Sequence, residues 1–222
     1  MRKTKWQHRL KFITVFSLIQ WQVIIYSGYF SCGKLSTYLT AKFHTQTVGN
    51  KQQNTNFVIE LKSFKIDDWE YLNKWISNEL ELIQFSGQIF TFPIDQNQVE
   101  IYLSDPNRTV FLIKNENDQP IGIAEISVGE GNIAKLARIL VERSMRGNGI
   151  GTELVNKLTD YGFNKLKKDR IILNVYTWNI GAIKCYEKVG FSQTNKPIKY
   201  VKVGNEEWKT IEMEKRPVAN KA

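Results

Sequence analysis

The tightest constraint on the fold is a change of repeat around residue 146. Up to Val141 apolar residues alternate with others in three runs, Thr109 to Lys114, Ile121 to Val128 and Ile133 to Val141, joined by Asn-Asp and Gly-Glu-Gly turns. A period of two builds strands, and short turns between such runs build an antiparallel meander. Then comes Arg146-Gly147-Asn148-Gly149-Ile150-Gly151-Thr152, after which Leu154, Val155, Leu158 and Tyr161 recur at helical spacing in a helix expected from Ile150 to Leu166. A glycine turn that opens a helix offers unpaired N–H groups at the positive end of its dipole, a place for a phosphate or diphosphate to approach closely. The pattern is not the dinucleotide fingerprint, which needs glycine where Thr152 stands, and it lacks the Gly-Lys-Ser/Thr ending of a nucleoside-triphosphate loop.

The other elements follow from the same reasoning. Phe57 to Phe64 reads as a strand, and Asp67 and Asp68 open a helix through about Asn78, with Trp69, Leu72, Trp75 and Ile76 on one side. Ser86 to Pro93 reads as a loop, and a short helix follows from about Asp95 to Leu103. Downstream of the glycine turn, Ile171 to Tyr176 is a strand, Ala182 to Val189 a helix, and closing strands lie near Phe191 and from Trp208 to Met213. A meander followed by strand, helix and strand predicts an α+β fold on a mixed sheet. With no internal repeat, residues 57 to 216 read as one domain and 217 to 222 as a tail.

Charge separates off what precedes that domain. Residues 1 to 56 carry eight Lys and Arg and no Asp or Glu, which leaves 23 basic against 22 acidic side chains in the remainder. The overall charge of +9 therefore belongs to the leading segment, and the near-neutral domain does not read as a nucleic-acid binder. Phe12 to Phe30 approaches the length of a membrane-spanning helix, although Gln20 and Gln22 interrupt it. An anchor, a dispensable tail and an upstream extension from a miscalled start all suit its composition, and membrane contact is expected only through residues 12 to 30. Two cysteines, Cys32 and Cys185, set up neither a disulfide framework nor a zinc cluster. His8 and His44 are the only histidines, so the domain has none to act as base or metal ligand, and no metal site is expected.

Arg146-x-x-Gly149-x-Gly151 resembles the Arg/Gln-x-x-Gly-x-Gly/Ala element of the GNAT superfamily of acyl-CoA-dependent N-acetyltransferases. Asn179-x-x-Ala182-x-x-x-Tyr186-x-x-x-Gly190-Phe191 is similar to that family's second block, and the two stand in the family's order. The aromatic run from Phe85 to Pro93 further resembles the ribosomal-protein and aminoglycoside acetylating branch. The resemblance implies a central twisted mixed sheet with an antiparallel N-terminal meander, helices on both faces, and acetyl-CoA as cosubstrate. It implies that Leu136 to Val141 is a splayed strand whose backbone at Leu140 and Val141 binds the pantetheine arm. Arg146, Gly147, Asn148, Gly149, Ile150, Gly151 and Thr152 would hold the diphosphate, with Asn179 and Ala182 also at the cofactor. It also implies a cytoplasmic location, where acetyl-CoA is found.

Transfer of an acetyl group to a primary amine needs a neutral amine, a polarised carbonyl and a proton for the departing thiolate. Tyr186 is the family's general acid by position; a phenol can donate to sulfur without being charged. Cys185 lies about 100° around the helix from it and reads as packing. The resemblance implies that a backbone N–H of the splayed strand near Val141 polarises the carbonyl. With histidine absent from the domain, Glu125 inside an apolar strand is the candidate base, while Glu142, Asn174 and ordered water stay open. The acceptor, a small molecule or a protein, would enter over the Ser86 to Pro93 loop. A non-catalytic acyl-CoA-binding module is the alternative, and the sequence sets no oligomeric state.

Overall fold

The computed structural model describes residues 57–217; the stretch from Phe12 to Phe30, Cys32 and both histidines lie outside the described residues. One mixed sheet organises the chain. Its strands are β1 (Ile59–Ser63), β2 (Arg108–Asn115), β3 (Pro120–Val128), β4 (Ile133–Val141), β5 (Arg170–Tyr176), β6 (Ser192–Gln193), β7 (Lys199–Val203) and β8 (Glu206–Lys215). They lie in the order β1-β2-β3-β4-β5-β8-β6, with β7 also paired to β8. Among the described residues only β4 and β5 run parallel. The connection between them passes through α4 (Ile150–Asp160), as a parallel crossover requires.

Helices cover both faces. The helices α1 (Trp69–Trp75), α2 (Glu79–Ser86) and α3 (Gln96–Leu103) shelter a cluster that includes Leu72, Leu82, Val99, Tyr102, Leu112, Ile123 and Leu140. Opposite, α4 and α5 (Ile180–Val189) bury Leu154, Leu158 and Val189 against Ile126, Leu136, Ile171, Leu173 and Met213. The fold class read from the sequence is the one observed, an α+β fold on a mixed sheet.

Three local differences matter for the site. The helix expected from Asp67 to Asn78 stops at Trp75, because Ile76 turns extended at φ −118° and ψ 109°. Asn78 then caps a separate helix, α2, its Oδ1 accepting from Glu81 N–H at 2.9 Å, while the Glu81 carboxylate accepts from Ser77 N–H at 2.9 Å. The helix expected to run through Leu166 gives way to a π-helical turn at Tyr161–Lys165. Lastly, Lys199–Val203 forms a further strand, hairpinned through Gly204 and Asn205 onto β8.

The geometry of β4 is the most consequential feature. Its pairing with β5 ends at Leu136 and Leu173, though β4 runs on to Val141 and β5 to Tyr176. On its other edge Glu125 pairs with Ala137 but Ile123 pairs with Leu140, so Arg138 and Ile139 are two residues opposite Ala124. That is a β-bulge, and Arg138 sits in it at φ 48°, an uncommon conformation for a non-glycine residue. One inserted residue exchanges the faces of a strand. Ala134 and Leu136 accordingly join the α4–α5 cluster while Leu140 is buried in the opposite one. Close approach secures the far side of the bulge, since a Cβ at Gly122 would overlap the Leu140 carbonyl oxygen. Gly122→Ala should therefore lower stability by about 1–3 kcal/mol through forced backbone displacement; an unchanged thermal unfolding midpoint would show that the strands part without cost.

Candidate active site

The gap between β4 and β5 offers a backbone edge. Glu142 N–H donates to the Ile121 carbonyl at 2.8 Å, back toward β3. Because N–H directions alternate along a strand, the Val141 N–H points the other way, into the gap. The Val141 carbonyl is held by Arg146, whose Nε donates to it at 2.7 Å. Arg146 thus folds the loop back on the strand end. The Leu140 side chain is buried in the core, so only its backbone is available to a ligand.

Past the gap the chain makes one 3₁₀ turn at Arg143–Met145 and enters the glycine segment. Gly147 and Gly149 both adopt φ 84°, and Gly149 caps α4 without any side-chain acceptor. The first backbone bond of the helix is Glu153 N–H to the Gly149 carbonyl at 3.1 Å. The amides of Ile150, Gly151 and Thr152 therefore have no intrahelical partner. The Ile150 side chain itself is buried beneath the helix. Asn148 Nδ2 donates to the Met145 carbonyl at 3.4 Å, which closes the turn. Bare amides at a helix start fit a diphosphate, and an unpaired strand edge fits an amide-bearing arm.

Across from α4 lies α5, whose motif residues turn out to be its punctuation. Asn179 Oδ1 accepts from Ala182 N–H at 3.2 Å as the N-cap. At the other end Gly190 N–H donates to the Glu187 carbonyl at 2.9 Å and Phe191 N–H to the Tyr186 carbonyl at 3.0 Å, the paired bonds of a Schellman ending. Tyr186 itself is partly buried, its ring 6.2 Å from that of Phe191, and burial pushes its phenol above the ordinary tyrosine range. Its hydroxyl consequently stays protonated at neutral pH, able to donate. Cys185 packs against Thr152, with sulfur and hydroxyl oxygen 3.6 Å apart, and burial raises its thiol, so a thiolate nucleophile is not provided there.

Glu125 sits inside its apolar strand, as expected, with its carboxylate engaged by neighbours. Its side chain is wholly buried, and both carboxylate oxygens accept from the Arg138 guanidinium while Oε2 also accepts from the Tyr102 hydroxyl. Arg108 stands 3.8 Å away over the Tyr102 ring and is itself tied to Asp105 at 2.7 Å. Burial first, and then the neighbouring Glu125 charge, push the Tyr102 phenol upward. A carboxylate clamped in this way has its acceptor sites occupied, so the geometry suits holding the Arg138 bulge rather than taking a proton from an amine. Sequence reasoning missed Arg138 and Tyr102, whose link to Glu125 is visible only once three elements meet.

The expected loop is present from Gly87 to Pro93, Ser86 ending α2. Phe90 is buried edge-on against Tyr102 at 5.0 Å, and Thr91 N–H donates to Gln98 at 2.7 Å, so this loop is tied to α3. Among the described residues there is no cluster fit to hold a metal ion, and no helix is long and apolar enough to cross a membrane.

A strand splayed at a bulge, a bare helix start facing it and a protonated tyrosine on the adjoining helix define an acyl-CoA-handling acyltransferase fold. The Acetyltransferase (GNAT) family model matches residues 69–191, more than half of the chain, and the chain belongs to that family. It is an acyl-CoA-dependent N-acetyltransferase with acetyl-CoA as cosubstrate. An aminoglycoside N(6')-acetyltransferase type 1 of Klebsiella pneumoniae is 26% identical over 156 residues, covering 63% of this chain and 77% of that one. A kanamycin resistance protein of Rhizobium radiobacter is 39% identical over 54 residues, 24% of this chain and 50% of its own. In fold, the spermidine N-acetyltransferase from Vibrio cholerae, solved with CoA and spermine, superposes with a TM-score of 0.62 at 18% identity, over 71% of this chain and 95% of that one.

Removing one partner of a buried ion pair leaves the other uncompensated. Glu125→Ala should accordingly destabilise the domain by about 3–5 kcal/mol in denaturant titrations, whereas a loss under about 1 kcal/mol, the size of a surface pair, would show that the clamp carries no structural load.

Proposed function

We propose that residues 57–216 form a catalytic domain that transfers acetyl from acetyl-CoA to a primary amine by direct attack, with Tyr186 as the general acid. The observation that carries this reading is the conjunction of the bare α4 amides, the unpaired edge of β4 and the protonated Tyr186 on the helix that packs beside α4. Bound acetyl-CoA supplies an activated thioester, and the amine nitrogen forms its bond to the carbonyl carbon as the carbon–sulfur bond breaks.

The chain's own groups divide the remaining work. The amides of residues 147–152 neutralise the diphosphate, with the free side of the Arg146 guanidinium beside them. The Val141 N–H, fixed by Arg146 on its own carbonyl, donates to the thioester oxygen where negative charge develops. Asn179 and Ala182 hold the start of α5 so that Tyr186 reaches the sulfur. Sulfur leaves with the bonding pair and takes the Tyr186 proton, and the tyrosine regains one from solvent. The nitrogen gives its surplus proton to water, which suits a site whose buried carboxylate is already engaged. The two relatives named for aminoglycoside and spermidine acetylation support an amine acceptor, and the cosubstrate supports a cytoplasmic setting.

Tyr186→Phe should reduce kcat by about 10²- to 10⁴-fold, the usual worth of a positioned acid, with the calorimetric affinity for CoA nearly unchanged; an unaltered rate removes Tyr186 from the chemistry. The sign of the pH dependence follows from its raised titration. A phenol displaced upward remains a donor through the range in which free tyrosine ionises, so kcat should show no falling limb below pH ~10. A decline centred between pH 7 and 9 would point to a different acid.

A further inference from the structure

A cavity of about 370 Å³ opens between α2, the turn after β5 and the start of β8, lined by Leu80, Glu81, Gln84, Trp178, Glu206 and Trp208. Its position ties it to the gap. Tyr176 ends β5, and its hydroxyl donates to the Ile83 carbonyl of α2 at 3.4 Å, while α2 also packs on β4. Thus α2 bridges the mouth of the splay, and the cavity lies at that mouth.

The wall is aromatic. The rings of Tyr176 and Trp178 stack at 5.5 Å and 9°, and Trp208 meets them edge-on at 5.1 and 5.2 Å. Trp178 is nonetheless 46% exposed, an indole face held open to solvent by its neighbours. Glu206 accepts from Trp208 Nε1 at 3.0 Å, which fixes that indole, and it has no ion-pair partner among the described residues. Glu81 faces the same space but is paired with Arg143. Among the described residues no lysine or arginine lines the cavity. Indole faces beside an unpaired carboxylate attract ammonium groups, and they do nothing for an anionic or a neutral aliphatic acceptor.

We propose that this cavity is the acceptor pocket and that it takes an aliphatic amine bearing a second positive charge. The second charge follows from the chemistry proposed above, on which this inference rests. The reacting nitrogen has to be neutral when it attacks, so a wall that recognises cations must act on a different nitrogen of the same molecule. Trp178, Trp208 and Glu206 are specificity-determining residues in this arrangement, gripping the charged end while the free amine reaches into the gap. Flexible polyamines and amino sugars share this chemistry.

The test is calorimetry on the full chain saturated with CoA, using spermidine, kanamycin and butylamine, with thiol release from acetyl-CoA followed in parallel. At least one of the two polycations should bind about tenfold or more tightly than the monoamine, the scale of a cation over an aromatic face. Which of them binds better separates the polyamine from the amino-sugar source. Trp178→Ala and Glu206→Gln should each weaken that polycation severalfold to about tenfold without changing CoA affinity, and Trp178→Phe should restore most of the loss. Wild-type affinity in both variants, or butylamine binding as well as the polycations, overturns the pocket. Thiol release with butylamine alone overturns the pocket and leaves the transferase reading standing. Tight polycation binding without thiol release from any amine overturns the transferase reading and retains the pocket as a binding site only.

Discussion

The splay of the sheet rests on one buried interaction, the Glu125–Arg138 ion pair at the β3–β4 bulge. A strand of ordinary pleat at β4 would have paired with β5 along its whole length and left no gap. Arg138 instead adopts a left-handed conformation that inserts a residue into the β3–β4 ladder. Such backbone costs of the order of 1–3 kcal/mol unless its surroundings enforce it. Here they do, because the guanidinium is forked onto Glu125 and bonded to the Tyr102 hydroxyl, and Arg108 also lies against the Tyr102 ring. Asp105 supplies the second negative charge, so the cluster of two arginines and two acids is balanced. Stability is spent on holding one strand away from its neighbour.

The consequences run outward along the chain. A splayed β4 ends with the Val141 amide facing the gap, and Arg146 folds the next segment back onto that strand end. The same turn delivers the glycine pair that opens α4 with bare amides. Helices α4 and α5 meet through small groups at Gly151, Thr152 and Cys185, so the helix carrying Tyr186 lies directly beside the phosphate-sized turn. On the far face Arg143 pairs with Glu81, tying the segment after β4 to α2. The open edge of β4, the helix carrying Tyr186 and the helix α2 are thereby referenced to a single strand.

Much of this was legible from the chain. Period and punctuation located β2 to β5 and the start of α4 within a residue or two, because alternating runs ended at Asn-Asp and Gly-Glu-Gly turns and the helix opened on glycine. The α5 block was equally readable, since Asn179 and Gly190 are helix-ending signals in their own right. The separate α2 was also encoded, by Asn78 with Glu81 three residues later, but the apolar spacing from Trp69 to Ile76 masked the break. Lys199 to Val203 alternates, and Gly204-Asn205 marks its turn, yet a five-residue run rich in lysine reads weakly as a strand. What could not be read was long-range. An arginine inside an alternating run gives no sign of positive φ, and Glu125 meets Arg138 and Tyr102 from three different elements. That is why the sequence offered Glu125 as a candidate base without showing that its carboxylate is engaged by Arg138 and Tyr102 in the fold. The cavity beside Trp178 was invisible for the same reason, its walls coming from α2, a turn and β8.

The most direct test is a crystal structure of the full chain grown with coenzyme A. The account predicts the diphosphate seated on the main-chain amides between Gly147 and Thr152, the pantetheine threaded along β4 beyond Leu136, and the sulfur within hydrogen-bonding reach of the Tyr186 hydroxyl. A diphosphate bound away from the start of α4, or a β4 that closes onto β5 when the nucleotide is present, would contradict it.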